Sequence, residues 1–153
     1  MIRIKFKKLD PNTIIPSKAF STDAGMDVIA TSKEWLEDLK CWQYGLGFAT
    51  EISCDYKGII VPRSSISKYD LIMCNSPAQI DSTYRGEWMV RFKEVKHLGK
   101  GIISDSFHGP KTYEIGDRVA QIYFEPIYIS EFIEVESLES SERSTGGFGS
   151  TGK

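Results

Sequence analysis

An all-β, jelly-roll-like fold is predicted by three features of the chain. Many short stretches alternate apolar and polar residues with the period of two that strands require. Glycine (13 residues) and proline (6 residues) punctuate those stretches as turns. With 153 residues and a 41% apolar fraction, the chain is the length of one domain and can pack a core.

In chain order, residues 2–6 alternate as a first strand, and Pro11 and Pro16 make 10–22 a loop. The opening MIRIKFKKLD lacks the apolar run of a signal peptide. In DAGMDVIA (23–30), Gly25 permits a tight bend and Asp27 starts a strand. Trp35, Leu36 and Leu39 fall on one face of SKEWLEDLKCW (32–42), which predicts a short helical turn. LGFATEISCDYKGIIVPRSS (46–65) reads as strand, turn, strand, with Asp55–Gly58 as a hairpin turn and Pro62 ending the pairing. ISKYDL (66–71) predicts a short helix. NSPAQIDSTYRGE (75–87) turns at Arg85-Gly86 into the alternating run WMVRF, placing Asp81 and Tyr84 at the mouth of a hairpin.

The stretch 95–114 holds both histidines, His97 and His108, and reads as an inserted hairpin or loop. Their spacing supplies no second-shell partner, so exposed or packed histidines fit better than a metal pair. Glu114–Asp117 is a turn into the strand Arg118–Phe124, where alternation puts Val119, Gln121 and Tyr123 on one face. Asp117 and Arg118 read as a structural turn pair. Pro126 ends that strand, and IYISEFIEVES (127–137) is a last alternating segment. From Leu138 the chain turns to Ser, Gly and Thr, which predicts a β domain over 1–137 and a flexible arm over 138–153.

Charge and cysteines narrow the function classes. A net charge of −2 excludes the basic stripe of a nucleic-acid-coating protein. No stretch reaches membrane-spanning length. Cys41, Cys54 and Cys74 are odd in number and form no CxxC pair, which points to buried free thiols in a reducing cytoplasm. A polyanionic ligand would have to be met by local Arg, Lys or backbone N–H groups. Arg63, beside the hydroxyls of Ser64 and Ser65, offers a planar fork for phosphate oxygens, although a loop arginine at the surface reads the same way. Asp81 can take a proton from a water and Tyr84 can pack on an apolar ligand face; taken alone, the stretch reads more readily as a turn before a strand, with Asp81 bonding local backbone N–H groups. Asp27 reads as a strand-edge acid and Gln121 as an exposed strand polar residue.

Five segments change that balance when taken together. They are DAGMDVIA (23–30), PRSSISK (62–68), QIDSTYRGE (79–87), GDRVAQIYFEPI (116–127) and RSTGGFGSTG (143–152). In this order and over nearly the whole length, the chain resembles the trimeric deoxyuridine triphosphate diphosphatase (dUTPase) family. The resemblance implies a homotrimer with shared sites that hydrolyses dUTP to dUMP and pyrophosphate with Mg²⁺. Such an enzyme keeps uracil out of DNA and supplies dUMP for thymidylate synthesis.

The resemblance also implies residue roles. Asp27 holds water on the metal. Arg63 and Ser64 contact the α- and β-phosphates, joined by Ser65 where the family usually has Gly. Asn75 and Ile80 border the uracil, Asp81 is the catalytic base and binds the 3′-hydroxyl, and Tyr84 packs on the deoxyribose. Gln121 lies at the α-phosphate and helps hold the attacking water. In the arm, Phe148 caps the uracil between Gly147 and Gly149, while Arg143, Ser150 and Thr151 hold the γ-phosphate. A cytoplasmic location follows, or a host's cytoplasm for a viral chain. The rivals are a deoxycytidine triphosphate deaminase, which leaves GGFGSTG unexplained, and a non-catalytic interaction protein on the same scaffold.

Overall fold

A computed structural model describes residues 2–95 and 111–146. Its ten strands are β1 (Lys5–Lys8), β2 (Met26–Ile29), β3 (Ser32–Leu36), β4 (Cys41–Gly45), β5 (Phe48–Glu51), β6 (Tyr56–Val61), β7 (Leu71–Met73), β8 (Ala78–Ile80), β9 (Met89–Glu94) and β10 (Arg118–Pro126). The helical expectation over 66–71 is met by one 3-10 turn, Ser64–Lys68, slightly earlier in the chain. Two four-stranded sheets, β2-β10-β6-β8 and β3-β4-β9-β7, are joined by a two-stranded ribbon, β1-β5. All strand pairs are antiparallel.

The core lies between the two sheets because each sends alternate residues inward. In β9, Val90 and Phe92 are buried while Arg91 and Lys93 face out. They meet Val28 from β2, Ile60 from β6 and Ile122 from β10 in one cluster. Trp88 is fully buried there and stitches β5 to β9 by backbone bonds, donating to the Phe48 carbonyl at 3.0 Å and accepting from Leu46 at 3.0 Å. Losing so large a core side chain costs about 3–5 kcal/mol.

Five expectations change. Residues 32–42 form β3 and β4 rather than the expected helical turn. Trp35 stands opposite Trp42 and packs edge-on at 5.1 Å, and Lys40 takes the left-handed φ of 51° that closes the turn. That cross-strand aromatic pair outweighs the helical spacing of Trp35, Leu36 and Leu39. Second, β5 and β6 lie in different sheets, so Asp55–Gly58 closes no hairpin, and Gly58 is inside β6. Third, β8 pairs with β6 while β9 pairs with β4 and β7, so residues 81–88 cross between sheets. Alternation reports which way a side chain points but not which strand lies alongside.

Fourth, residues 127–137 form no strand. After the Ile127 amide donates to the Asp55 carbonyl at 2.8 Å, the segment leaves the body. Ile129 and Phe132 are fully exposed, at 102% and 101% of their reference surface. The first strand also begins later than expected, at Lys5. Residues 96–110, most of the expected insert, lie outside the described residues.

Candidate functional site

Asp27 and Gln121 meet because their strands pair. They are direct partners across β2 and β10, and the Gln121 carboxamide donates to Asp27 Oδ1 at 3.3 Å. Gly25 keeps the approach open: a Cβ there would press on the Gln121 side chain at 3.3 Å. Arg63 enters from the end of β6, just past Val61, itself opposite Gln121 on β10. Its Nε donates to Asp27 Oδ1 at 2.8 Å and its Nη2 to Asp27 Oδ2 at 3.3 Å, a fork-to-carboxylate geometry. Nη1 turns the other way, to Ser65 Oγ at 3.3 Å. Ser64 is exposed at the start of the 3-10 turn.

Arg118 joins the same carboxylate, with Nε 3.6 Å from Asp27 Oδ2. In a regular strand, residues 118 and 121 would point to opposite faces. A bulge removes the conflict: Arg118 opposes Ile29 and Ala120 opposes Val28, which leaves Val119 as the extra residue. Val119 is therefore buried with Ala120, contrary to the expected shared face with Gln121, and Arg118 turns to the Asp27 side. The expected Asp117–Arg118 turn pair does not form; Asp117 instead accepts from the Glu114 amide at 2.8 Å. Sequence reasoning missed Arg118 because nothing in DRVAQ marks a bulge.

These residues line a cleft of about 300 Å³ that also includes Asp23 and Ser17. Two guanidiniums, Arg63 and Arg118, balance two carboxylates, Asp23 and Asp27. Among the described residues no group of three His, Cys, Asp or Glu side chains converges to cage a metal. A hydrated ion held by one carboxylate and ligand oxygens is the type of cation that fits such a cleft.

Asn75, Ile80 and Tyr84 line a second pocket, of about 210 Å³, with Gln43, Glu87, Met89 and Arg91. None of them lines the charged cleft. Asn75 docks on β9, its Oδ1 accepting from the Arg91 amide at 3.0 Å and its Nδ2 donating to the Met89 carbonyl at 3.4 Å. Tyr84 donates its hydroxyl to the Glu87 carbonyl at 3.0 Å, its ring lying where a Gly86 side chain would be. The Tyr84 amide donates to the Asp81 carbonyl at 3.0 Å, which fixes their spacing in one turn. Asp81 is exposed, and its carboxylate has no partner among the described residues.

Arg143 lies in an exposed turn, its Nε donating to the Gly146 carbonyl at 3.0 Å. Gly147, Phe148, Gly149, Ser150 and Thr151 lie outside the described residues.

Facing antiparallel sheets, a carboxylate–guanidinium–carboxamide cleft and a separate pocket holding Tyr84 define a jelly-roll-like protein with two distinct polar sites. A family model described as dUTPase matches residues 11–152. Deoxyuridine 5'-triphosphate nucleotidohydrolases of Nautilia profundicola and Clostridium acetobutylicum are 36% and 34% identical to it, over 99% of this chain and 100% and 98% of theirs. The dUTPase of Staphylococcus bacteriophage 80alpha, solved with dUPNHPP, superposes with a TM-score of 0.78 at 29% identity over 99% of each chain. A mutant dUTPase from phage phi11 of S. aureus, whose structure details a structural Mg(II) ion, shares the fold (24% identity, TM-score 0.69, 90% of this chain and 99% of that one). The chain belongs to the dUTPase family.

Proposed function

We propose that this chain, a dUTP diphosphatase that hydrolyses dUTP to dUMP and pyrophosphate, works through two half-sites joined between subunits. The observation that carries this reading is the separation of the charged cleft from the aromatic pocket within one chain. One subunit contributes Asp27, Arg63, Ser64, Ser65 and Gln121 at the phosphates. A neighbour contributes Asn75 and Ile80 at the uracil, with Asp81 and Tyr84 at the sugar and the attacked phosphorus. A third lends its arm, residues 138–153, with Arg143 and Ser150 at the γ-phosphate and Phe148 over the base.

A homotrimer is supported by the exposed apolar run from Ile127 to Leu138. An apolar cavity of about 570 Å³, lined by Ile4, Phe6, Ile15, Met26 and Phe124 among others, gives such a run a surface to cover. Among the described residues no helix is long and apolar enough to cross a membrane. The three cysteines are free, but only Cys41 is buried as expected, Cys54 and Cys74 being exposed; unpaired thiols suit a cytoplasmic location.

The chemistry follows from the residues. A water's lone pair attacks the α-phosphorus, its proton passes to the unpaired Asp81 carboxylate, and the bond to the pyrophosphate oxygen breaks. Arg63 and Gln121 orient the phosphates and the water. A triphosphate entering a cleft with balanced charges requires added positive charge, which Mg²⁺ supplies when bound. Asp27 would hold it through water once phosphate oxygens draw Arg63 away. Tyr84 fills the space a 2′-hydroxyl would need.

The test is a panel of nucleoside triphosphates with Mg²⁺, following pyrophosphate and ammonia separately. Pyrophosphate from dUTP alone is expected; ammonia from dCTP would favour a deaminase. For the shared site, Arg63→Gln and Asp81→Asn chains are unfolded together and refolded. Mixed assemblies should exceed the residual activity of either parent, because one intact pair of half-sites can form. Mixtures as inactive as their parents would sink the shared-site reading.

A further inference from the structure

We propose that Glu87 is a positioning residue for Tyr84: its carboxylate grips the buried Gly47 amide, and its carbonyl seats the tyrosine hydroxyl. The proposal rests on the assignment of Tyr84 to the sugar.

The anchor starts from a gap in backbone pairing. Between β4 and β5 the chain turns a corner at Leu46-Gly47, leaving a four-stranded sheet for the ribbon. The Leu46 amide donates to the Trp88 carbonyl and the Trp88 amide to the Phe48 carbonyl, each at 3.0 Å. Leu46 and Phe48 thus both bond Trp88, which leaves Gly47 between them as an extra residue. Its φ of 70° is left-handed, and a Cβ there would lie 2.3 Å from Thr13 Oγ1. The Gly47 carbonyl is well used, accepting from the Leu9 amide at 2.7 Å, the Asp10 amide at 3.2 Å and the Thr13 hydroxyl at 2.7 Å. Its buried amide has no backbone acceptor among the described residues. Such a group must find a side chain or lose its bond to water without return.

Glu87 supplies the acceptor. Its Oε1 takes the Gly47 amide at 2.8 Å in a part-buried setting. Gly45 leaves room for that carboxylate, since a Cβ there would lie 2.5 Å from the same oxygen. The crossing between the sheets is thereby tied to the β4–β5 corner by a side chain as well as by Trp88.

The backbone of Glu87 faces the tyrosine. Its carbonyl accepts from the Tyr84 hydroxyl at 3.0 Å, and the amide of the same peptide unit is the Trp88 N–H bonded to Phe48. A planar peptide turns as one piece, so the anchor on residue 87 sets where its carbonyl points. The main chain of Tyr84 has its own ties, its amide to the Asp81 carbonyl and its carbonyl to Arg85 Nη1 at 2.9 Å. Among the described residues the hydroxyl is bonded to Glu87 alone. A ring held in one place can exclude a single added hydroxyl, and a ring free to tilt admits it.

The test uses full-length Glu87→Ala, Glu87→Gln, Tyr84→Phe, Tyr84→Ala and the Glu87→Ala/Tyr84→Phe double variant. The readouts are kcat and KM for dUTP and UTP, Gly47 amide exchange and Tyr84 ring signals by NMR, and Tm. Glu87→Ala should lower the dUTP-to-UTP ratio of kcat/KM by about 2- to 10-fold, the scale of one hydrogen bond. It should also speed Gly47 exchange and shift the Tyr84 ring signals. Glu87→Gln keeps an acceptor oxygen and should recover most of each loss. Tyr84→Phe should match Glu87→Ala in the ratio, and the double variant should lose no more than either single one. A lower Tm with parent ratio and parent ring signals in Glu87→Ala would make the residue merely structural and overturn the proposal. Losses that multiply in the double variant would overturn it too. If Tyr84→Ala keeps the parent ratio while Glu87→Ala still moves the Tyr84 ring, the anchor stands and the sugar assignment falls.

Discussion

The two half-sites differ in how much of their geometry one chain provides. Around Asp27 the work is done before any ligand arrives: three donor side chains converge on one half-buried carboxylate, each sent from a paired strand or the end of one. Around Tyr84 the groups hang on a crossing between sheets. They are tied to backbone carbonyls and amides, and Asp81 has no partner among the described residues. A tied guanidinium holds position but must give up a bond to take a phosphate. An untied carboxylate is free to take a proton but depends on neighbours to be aimed. On the proposed reading, electrostatic preorganisation would belong to the sheet, and proton transfer and base recognition to the crossing.

The largest test of that contrast is Asp81→Asn. It should cut kcat by about 10²–10⁴-fold while dUTP still binds, because a carboxylate with the proposed role of base would act mainly in the transition state. Near-normal kcat would move proton transfer to the other half-site. Next, Arg63→Gln should lower kcat/KM by about 10- to 100-fold, the scale of one or two charge-assisted hydrogen bonds. Steady-state kinetics over a dUTP series would separate KM from kcat.

A smaller effect is expected from Gly86→Ala. Its methyl would collide with the Tyr84 hydroxyl and push the ring from its seat. The kcat/KM ratio of dUTP to UTP should fall several-fold with little change in Tm, and an unchanged ratio means another group excludes the 2′-hydroxyl. The smallest is Arg118→Gln. Arg118 is largely exposed and 3.6 Å from Asp27, so its loss should change kcat/KM by about twofold or less. A larger drop would show that both arginines, not one, meet the phosphates.

Much of the fold was legible because side-chain parity survives in the sequence. Val90 and Phe92 face inward as WMVRF implies, and the Ser64–Lys68 turn falls close to its expected place. Asp27, Arg63 and Gln121, far apart in the chain, converge as the motifs imply. What parity does not carry is partnership. Phe48–Glu51 and Tyr56–Val61 look like a hairpin until their separate sheets are seen, and so do Ala78–Ile80 and Met89–Glu94. Residues 127–137 alternate like a strand yet form none beyond the one bond from Ile127 to Asp55, since alternation alone does not supply the edge a strand must join.

Val119 is the one residue of β10 that the ladder does not need. Ahead of it, the even-numbered Arg118 turns outward; beyond it, the even-numbered Ala120 and Ile122 turn inward. Take this valine out and Arg118, Ala120, Gln121 and Ile122 fall opposite Ile29, Val28, Asp27 and Met26 as a regular ladder, with Arg118 and Gln121 still on one face. What such a deletion removes is a buried side chain and the local bend of the bulge, not the register of the site. When dUTPase sequences are aligned, a gap at this position would mark the loss of a bulge and not a shift of every residue beyond it.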